Sequence, residues 1–294
     1  MTLMQIYLPL IATGLGVGSL YGLVAFGMVL ILKGTHVFNF AQFQCLTLGA
    51  YVAYSLMANN ILPFVPAVIV AGFVGFAVGV LTYYLVVRHM QGHSLFSVFA
   101  ATFGVALMIR AVMASIWGYQ NKTLPIAIGH KAVSFGEGVS ISAVHLIIFG
   151  VTILFIGTFI AFFNKTLLGT QMRAVANDQE VAHMMGINVN KVYVVTWGVA
   201  IFSSAIGGVF LSVLETVNVN LGDVGMKAFP VVILGGMESI MGSIIAGLII
   251  GVLEVLAGYW FGAAYRQLVV FTLLLVVLMI RPYGLFGERH AQRV

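Results

Sequence analysis

The sequence has 294 residues, of which 61% are hydrophobic and 7% are charged, and its mean hydropathy is +1.10. A soluble domain carries about 25% charged residues, so this chain has too little polar surface to face water. The composition excludes a soluble enzyme, a nucleic-acid-binding protein and a disordered chain, and the long apolar runs disfavour a β-barrel. The sequence therefore predicts an all-α, polytopic bundle of transmembrane helices.

Apolar segments long enough to cross a bilayer follow one another along the chain, since a spanning helix needs about 20 apolar residues. Eight are predicted, at Ile6–Leu32, Phe40–Met57, Phe64–Val87, Ser94–Trp117, Ile141–Phe163, Val192–Leu214, Ile240–Phe261 and Ala263–Ile280. A ninth, Val224–Gly236, is apolar but short, and it is interpreted as a half-helix, a re-entrant segment or a thin crossing. The bundle thus has eight to nine membrane segments, and residues 1–294 form a single transmembrane domain.

Basic residues near the ends of the spans predict the orientation, because lysine and arginine collect on the cytoplasmic side. The side with more of them carries Lys33, Arg88, Lys165, Arg173, Lys191, Arg281, Arg289 and Arg293, and the other side carries Lys122, Lys131 and Arg266. The first side is expected to be cytoplasmic, which places the C-terminus inside. The side of the N-terminus depends on whether the ninth segment crosses.

The segment between the first two spans, Gly34–Gln44, interrupts the hydrophobic pattern with Asn39, Gln42 and Gln44. A buried amide without a partner costs roughly 2–7 kcal/mol, so these side chains need hydrogen bonds or water. Two interpretations fit the segment: a polar cytoplasmic turn, or a broken helix that lines a pathway, as in transporters.

Residues 165–191 are the most polar stretch of the chain and are predicted to be a cytoplasmic loop with one or two short helices. Gly186 stands where such a helix would end, because glycine tolerates a left-handed backbone. Apolar residues predicted near one face are Met172, Val175, Ala176, Ala182 and Met185, and polar residues predicted elsewhere are Arg173, Asp178, Glu180 and His183. The helix either rests on lipid or docks a cytoplasmic partner.

The short ninth segment and the residues that directly follow it contain helix-breaking residues. Pro230 removes a backbone donor, and Gly235 and Gly236 allow a tight reversal. Glu238 and Ser239 follow, where a carboxylate is suited to cap the next helix. The pattern is typical of a gate or hinge, and equally of a purely structural turn.

Three ionisable residues fall inside predicted membrane segments, where a charge is costly and is a functional candidate by default. They are Arg110, Lys227 and Glu254, and Glu254 is the deepest of them. An ion-coupled secondary transporter using Glu254 is therefore a rival interpretation, although a proton-coupled transporter usually has more buried carboxylates.

No pattern predicts a catalytic set, a cofactor or a metal site. Cys45 is the only cysteine, which excludes an intrachain disulfide and a thiolate metal site. His89 and His93 are one helical turn apart without an apparent third ligand, and the sequence has no P-loop. Glycines at four-residue spacing instead predict close helix packing, at Gly14, Gly18 and Gly22, at Gly75 and Gly79, and at Gly247 and Gly251.

Four motifs in order along nearly the whole chain resemble the branched-chain amino acid ABC transporter permease family of the LivH/LivM type, and its LivH branch most closely. The first motif is Tyr21–Gly27 followed by Phe38–Gln42, which is similar to NFAHGE or NFAQGE, and the second is Arg173–Asp178 with Met185–Asn188. The third motif consists of Met226–Phe229, Leu234–Gly236, Ser239 and Gly242–Gly247. The fourth is Arg281–Gly287, which is similar to RPxGLFG. Each motif alone is modest, but four in register make a specific match.

The chain departs from the family at Phe43 and Gln44, where the family commonly has glycine and glutamate. The departure bears on the local backbone and on substrate preference, and leaves the fold untouched. Urea and short-chain amide permeases resemble this family closely, so they remain an alternative to a branched-chain amino acid permease.

The resemblance implies a permease of an ABC importer in the bacterial inner membrane, which translocates branched-chain amino acids or a similar small polar solute and is not an enzyme. Its implied partners are cytoplasmic ABC ATPase subunits, a second related permease or a copy of itself, a periplasmic or extracellular solute-binding protein and the lipid bilayer, with no nucleic acid. ATP binding would move the coupling helices of residues 165–191 as a rigid-body switch.

The resemblance and the residue patterns together assign two sets of candidate residues. The substrate pathway set is Asn39, Gln42, Gln44, Gly235, Gly236, Ser239 and Glu254. The ATPase coupling set is Arg173, Asp178, Ala182, Gly186, Ile187 and Asn188.

Overall fold

The structure, a computed structural model, describes residues 3–90, 92–126, 132–134 and 140–287. Its helices are α1 (Leu3–Thr35), α2 (Gln42–Ala58), α3 (Phe64–Leu85), α4 (Leu95–Trp117), α5 (Ala143–Lys165), α6 (Leu167–Asn177), α7 (Gln179–Met184), α8 (Val189–Leu214), α9 (Leu221–Gly225), α10 (Ala228–Gly235), α11 (Ile240–Phe261) and α12 (Arg266–Ile280). Short 3-10 turns lie at Val87–Met90 and Ala263–Tyr265. Strands β1 (Ala132–Ser134) and β2 (Ser140–Ser142) pair antiparallel, with Val133 opposite Ile141.

Among the described residues, seven helices are long and apolar enough to cross a membrane: α1, α3, α4, α5, α8, α11, and α12 together with the 3-10 turn before it (Ala263–Ile280). The predicted second span is α2, whose 17 residues rise about 26 Å, slightly less than the hydrocarbon core of a bilayer. The all-α, polytopic fold is confirmed, and the expected eight to nine segments are an approximate count. Three basic residues used to predict the orientation, Lys131, Arg289 and Arg293, lie outside the described residues.

The predicted ninth segment is two short helices, α9 and α10, separated at Met226 and Lys227. The 8 residues of α10 rise about 12 Å, less than half of the hydrocarbon thickness. At its end Gly236 has φ of +99°, a conformation that a residue with a side chain rarely adopts. By itself, α10 therefore has the length of a half-helix.

The chain divides into two compact units, one made of residues 1–29, 127–152 and 227–294, and the other of residues 30–126 and 153–226. In the first unit, α1 packs on α11 through small residues. A Cβ on Gly18 would lie 2.5 Å from the carbonyl oxygen of Gly247, and one on Gly14 would lie 2.6 Å from the Cα of Val252. The close helix packing that the glycine spacing predicted is thus confirmed, since only a residue without a Cβ permits such an approach.

In the second unit, α8 is the central helix and packs against α2 and α3. Trp197 of α8 and Tyr51 of α2 are both fully buried. Gly79 of α3 lies against the backbone of Trp197, where an added Cβ would come 2.5 Å from the carbonyl oxygen. Close contacts of this kind bring the three helices together without large intervening side chains.

Candidate functional site

The loop of residues 165–191 contains two helices, α6 and α7, in agreement with the prediction of one or two. Thr166 caps α6 by accepting a hydrogen bond from the Gly169 amide at 3.1 Å. Asp178 caps α7, because its Oδ1 accepts from the amides of Glu180 and Val181 at 2.9 Å each. A cap of this type stabilises a helix by about 1 kcal/mol, so Asp178 shapes the loop through its own backbone contacts.

The turn from α7 into α8 is a Schellman motif centred on Gly186, whose φ is +80°. The Gly186 amide donates to the carbonyl of His183 at 3.0 Å, and the Ile187 amide donates to that of Ala182 at 3.1 Å. Asn188 then caps α8 by accepting from the Lys191 amide at 3.1 Å. Gly186 therefore ends the helix, as predicted, and these bonds determine the angle between α7 and α8.

Arg173 of α6 holds the loop to the end of α5. Its guanidinium donates to the carbonyl oxygen of Phe163 and to Oγ1 of Thr170, the latter at 3.0 Å, and its Cζ lies 5.3 Å from the centre of the Phe163 ring. The residue thus makes its contacts within the loop and with the preceding helix.

The apolar face of the loop differs in part from the predicted one. Of the residues predicted near one face, Met172, Val175 and Ala182 are buried, whereas Met185 is 78% exposed. Met185 follows the last residue of α7, where the helical periodicity no longer applies. Three apolar side chains, which we call the α7 surface, face outward: Val181, Met184 and Met185.

Next to the α7 surface is an open cavity of about 700 Å³ in the second unit. It is lined by Gln179, Glu180, His183, Met184, Gly186, Ile187, Asn188, Val189 and Asn190. Three of the predicted coupling residues, Gly186, Ile187 and Asn188, thus line one concave surface. The mixed apolar and polar lining, beside exposed apolar side chains, is typical of a surface that takes a protein partner.

Two tyrosines, which sequence reasoning missed, connect this loop to the membrane helices. Tyr193 of α8 donates a hydrogen bond to Oε1 of Gln179 in α7 at 2.9 Å. Tyr83 of α3 donates to Oδ1 of Asn190 at 2.7 Å, and the two tyrosine rings are 6.0 Å apart in an edge-on arrangement. Displacement of α7 would therefore be transmitted to α8 and, through Asn190, to α3.

The predicted pathway residues Asn39, Gln42 and Gln44 are buried at the start of α2. Asn39 accepts a hydrogen bond from the Ala41 amide at 3.1 Å. Within the described part of the chain, Nδ2 of Asn39 and Oε1 of Gln44 are buried without a hydrogen-bond partner. Such orphaned amide atoms are costly, so these two side chains retain hydrogen-bonding capacity for a solute or water.

Phe43, where the family commonly has glycine, lies in the first turn of α2 and is 4% exposed. Its ring is edge-on to Phe40 at 6.4 Å. On the other side lies α9, where a Cβ added to Gly225 would meet the Phe43 ring at 3.7 Å and the Leu46 side chain at 3.0 Å. The phenylalanine is therefore accommodated in a regular helix, packed near Phe40 and α9.

The other predicted pathway residues lie in the first unit: Gly235, Gly236 and Ser239 are at or just after the end of α10, and Glu254 is inside α11. The amides of Leu285 and Phe286 donate to the carbonyls of Leu234 and Gly235 at 2.8 and 3.2 Å. The Leu234–Gly236 and Arg281–Gly287 motifs are thus one structural element. Ser239 caps α11 by accepting from the Gly242 amide at 3.0 Å, so the serine takes the capping role that was proposed for a carboxylate there.

The three ionisable residues of the membrane segments all have polar partners. Glu254 is 5% exposed and pairs with the Lys227 ammonium at 2.6 Å. Arg110 donates a hydrogen bond to Oδ1 of Asn220. The sequence offered no signal for the Lys227–Glu254 pair, since 27 residues separate its members.

Comparisons with known proteins assign the chain to a family. The family described as "Branched-chain amino acid transport system / permease component" matches residues 10–278. The high-affinity branched-chain amino acid transport system permease protein BraD of Pseudomonas aeruginosa is 30% identical over 302 residues, covering 98% of both chains. The corresponding LivH protein of Escherichia coli is 28% identical, again over 98% of both.

Two further matches are more distant in sequence. The probable branched-chain amino acid transport permease protein LivH of Methanocaldococcus jannaschii is 28% identical over 92% of this chain and 89% of its own. The solved structure "PsaBC from Streptococcus pneumoniae in complex with Fab" is similar in fold, with a TM-score of 0.50 and 14% identity, over 96% of this chain and 95% of that one. Together with its multi-pass helical fold, the match over residues 10–278 means that the chain belongs to the family of branched-chain amino acid transport permease components.

Proposed function

We propose that this protein is the permease subunit of an ABC importer that carries branched-chain amino acids across the bacterial inner membrane. The observation that carries the proposal is the end-to-end similarity to BraD, a permease named for branched-chain amino acids. The bundle of seven membrane-length helices among the described residues is suited to that task. The C-terminus is then cytoplasmic, as the basic residues Lys33, Arg88, Lys165 and Arg281 on one side predict.

The proposed coupling site is the loop of residues 165–191. The α7 surface has Met184 exposed by 82% beside the cavity of about 700 Å³, which together form an apolar and concave docking site. Arg173, Asp178, Gly186 and Asn188 hold the two short helices in a defined shape, and Ala182 and Ile187 contribute the backbone bond that closes the turn. A separate ATPase subunit that binds there moves the loop as a rigid body.

The remaining proposed partners follow from the importer architecture. They are a second, related permease or another copy of this chain, and an external solute-binding protein that delivers the substrate. The permease itself carries out no chemistry, because ATP hydrolysis takes place in the ATPase subunits.

The proposed pathway residues lie in two sets, one in each compact unit. Asn39, Gln42 and Gln44 form the first set, where two of the buried amides have atoms available for hydrogen bonding. The second set is Gly235, Gly236, Ser239 and Glu254. The paired charge of Glu254 speaks against a free, proton-carrying carboxylate, and so against the rival ion-coupled mechanism.

Uptake of labelled solutes tests the substrate class. Vesicles that contain this chain with its ATPase, partner permease and binding-protein subunits are expected to accumulate labelled leucine in the presence of ATP. Labelled urea is expected to stay at the level of vesicles without the complex. Accumulation of urea instead of leucine would contradict the proposed substrate and favour a urea or short-chain amide permease.

A further inference from the structure

Lys227 and Glu254 place one positive and one negative group side by side within the first unit. The Lys227 Nζ and Glu254 Oε1 atoms are 2.6 Å apart, and Nζ also lies 5.9 Å from the centre of the Tyr21 ring on α1. Lys227 is at the break between α9 and α10, and Glu254 is inside α11. The pair therefore joins the residue that precedes α10 to the interior of α11.

The pair is incompletely satisfied. The Glu254 side chain is 6% exposed. Its Oε2 atom is buried and accepts no hydrogen bond from any residue that the structure describes. The Lys227 side chain is 25% exposed, and its ammonium has three donors, one of which faces Glu254. A buried ion pair offsets its desolvation only when the remaining donors and acceptors also find partners. The site thus lacks one donor, and Lys227 has donors to spare.

We propose that Lys227 and Glu254 form a recognition site for the zwitterionic head group of an amino acid. The substrate ammonium donates to Oε2 of Glu254, and the substrate carboxylate accepts from the free N–H groups of Lys227. Each new contact joins opposite charges, and the bound state remains neutral as a whole. The inference deepens the proposed function, on which it rests, by assigning the charged groups of the substrate to two residues.

The proposed site selects solutes by the charged groups that they carry rather than by their size. A solute without an ammonium leaves Glu254 unpaired on one oxygen, and a solute without a carboxylate leaves the free N–H groups of Lys227 unpaired. The loss of such a polar contact lowers affinity more than the loss of a methylene group does. Urea, which carries neither charge, gains nothing from this arrangement. The proposed site therefore favours amino acids over neutral amides.

Competition experiments in the reconstituted complex test the site. Uptake of labelled leucine is measured against unlabelled leucine, leucinamide (no carboxylate) and 4-methylpentanoate (no ammonium). For the wild type, both analogues are expected to compete about tenfold or more weakly than leucine. In Lys227→Met the preference for leucine over leucinamide is expected to disappear, and in Glu254→Gln the preference over 4-methylpentanoate is expected to disappear.

Two controls separate recognition from a purely structural role. Lys122→Met removes a lysine that lies over the ring of Tyr54 at 5.3 Å, and Glu215→Gln changes an exposed carboxylate; both are expected to keep the wild-type preferences. The double variant Lys227→Met/Glu254→Gln buries no unpaired charge. If the pair only joins helices, this variant recovers normal transport with unchanged preferences, which would overturn the proposal.

The outcomes for the wild type complete the test. In one outcome the wild-type complex takes up leucine while the Lys227 and Glu254 variants keep its preference for leucine over both analogues. That result would overturn the recognition site, and the proposed function would stand. Absence of leucine uptake by the wild-type complex would overturn the proposed function and this site with it.

Discussion

Substitution of Gly208 by valine is expected to separate α8 from α2 and to destabilise the protein by on the order of 3 kcal/mol. Gly208 faces the backbone of Leu46, and an added Cβ would overlap its carbonyl oxygen. Backbone atoms of a buried helix cannot move aside as a flexible side chain does, so the helices must move apart. Thermal unfolding of the purified protein in detergent is expected to show a clearly lower Tm and a reduced yield of monodisperse protein.

Gly104→Val is the matched control for this variant. Gly104 lies in α4, and an added Cβ there meets no atom of the described residues within 4 Å. The Tm of this control is expected to stay close to that of the wild type. Equal stability of the Gly208 and Gly104 variants would contradict the close packing of α2 against α8.

Substitution of Gly186 by valine is expected to reduce ATP-driven uptake at least about tenfold, since a β-branched residue at positive φ costs about 1–3 kcal/mol. The φ of +80° at Gly186 allows the two hydrogen bonds that end α7 and set its angle to α8. Without them the docking surface changes shape, and ATP hydrolysis no longer moves the membrane helices. The readout is the ratio of leucine uptake to ATP hydrolysis, which is expected to fall while the helices remain folded.

Gly186→Asn serves as the conservative comparison, because asparagine tolerates the left-handed conformation better than other residues with a side chain. It is expected to retain most of the coupling. A second glycine at positive φ, Gly92 at +85°, has space for a side chain and lies outside the loop, so Gly92→Val reports the effect of backbone strain alone. Full coupling in Gly186→Val would contradict the proposed role of the α7 to α8 turn.

Most of the fold could be predicted from the sequence because the physical signals are local. A bilayer imposes a length of about 20 apolar residues on each span, and the predicted Ile240–Phe261 coincides with α11. The end of α7 was also predicted, since Gly186 is a residue that helix ends prefer. The caps Asn188 and Ser239 were not predicted, although both are residue types that N-caps prefer. Met185 differs in exposure from Ala182, with which it was grouped, because it follows the last residue of α7.

The candidate sites could be predicted only in part, because their key contacts join residues far apart in sequence. Asn39 and Glu254 were recognisable as polar residues in apolar segments. Nothing in the sequence indicated that Lys227 would pair with Glu254 or that Phe286 would bond to Gly235. These partners are selected by the packing of helices, which the periodicity of one segment does not encode.

The central claim is that this chain is a conduit moved by a separate ATPase, and solute accumulation measured with and without that ATPase tests it most directly. Vesicles with the whole complex are expected to concentrate leucine when ATP is present and to stop when ATP is removed, while an ionophore has no effect. Vesicles with this chain alone are expected to accumulate none. Accumulation of leucine against a gradient by this chain alone would contradict the account. So would a loss of ATP-driven leucine uptake by the whole complex when an ionophore is added.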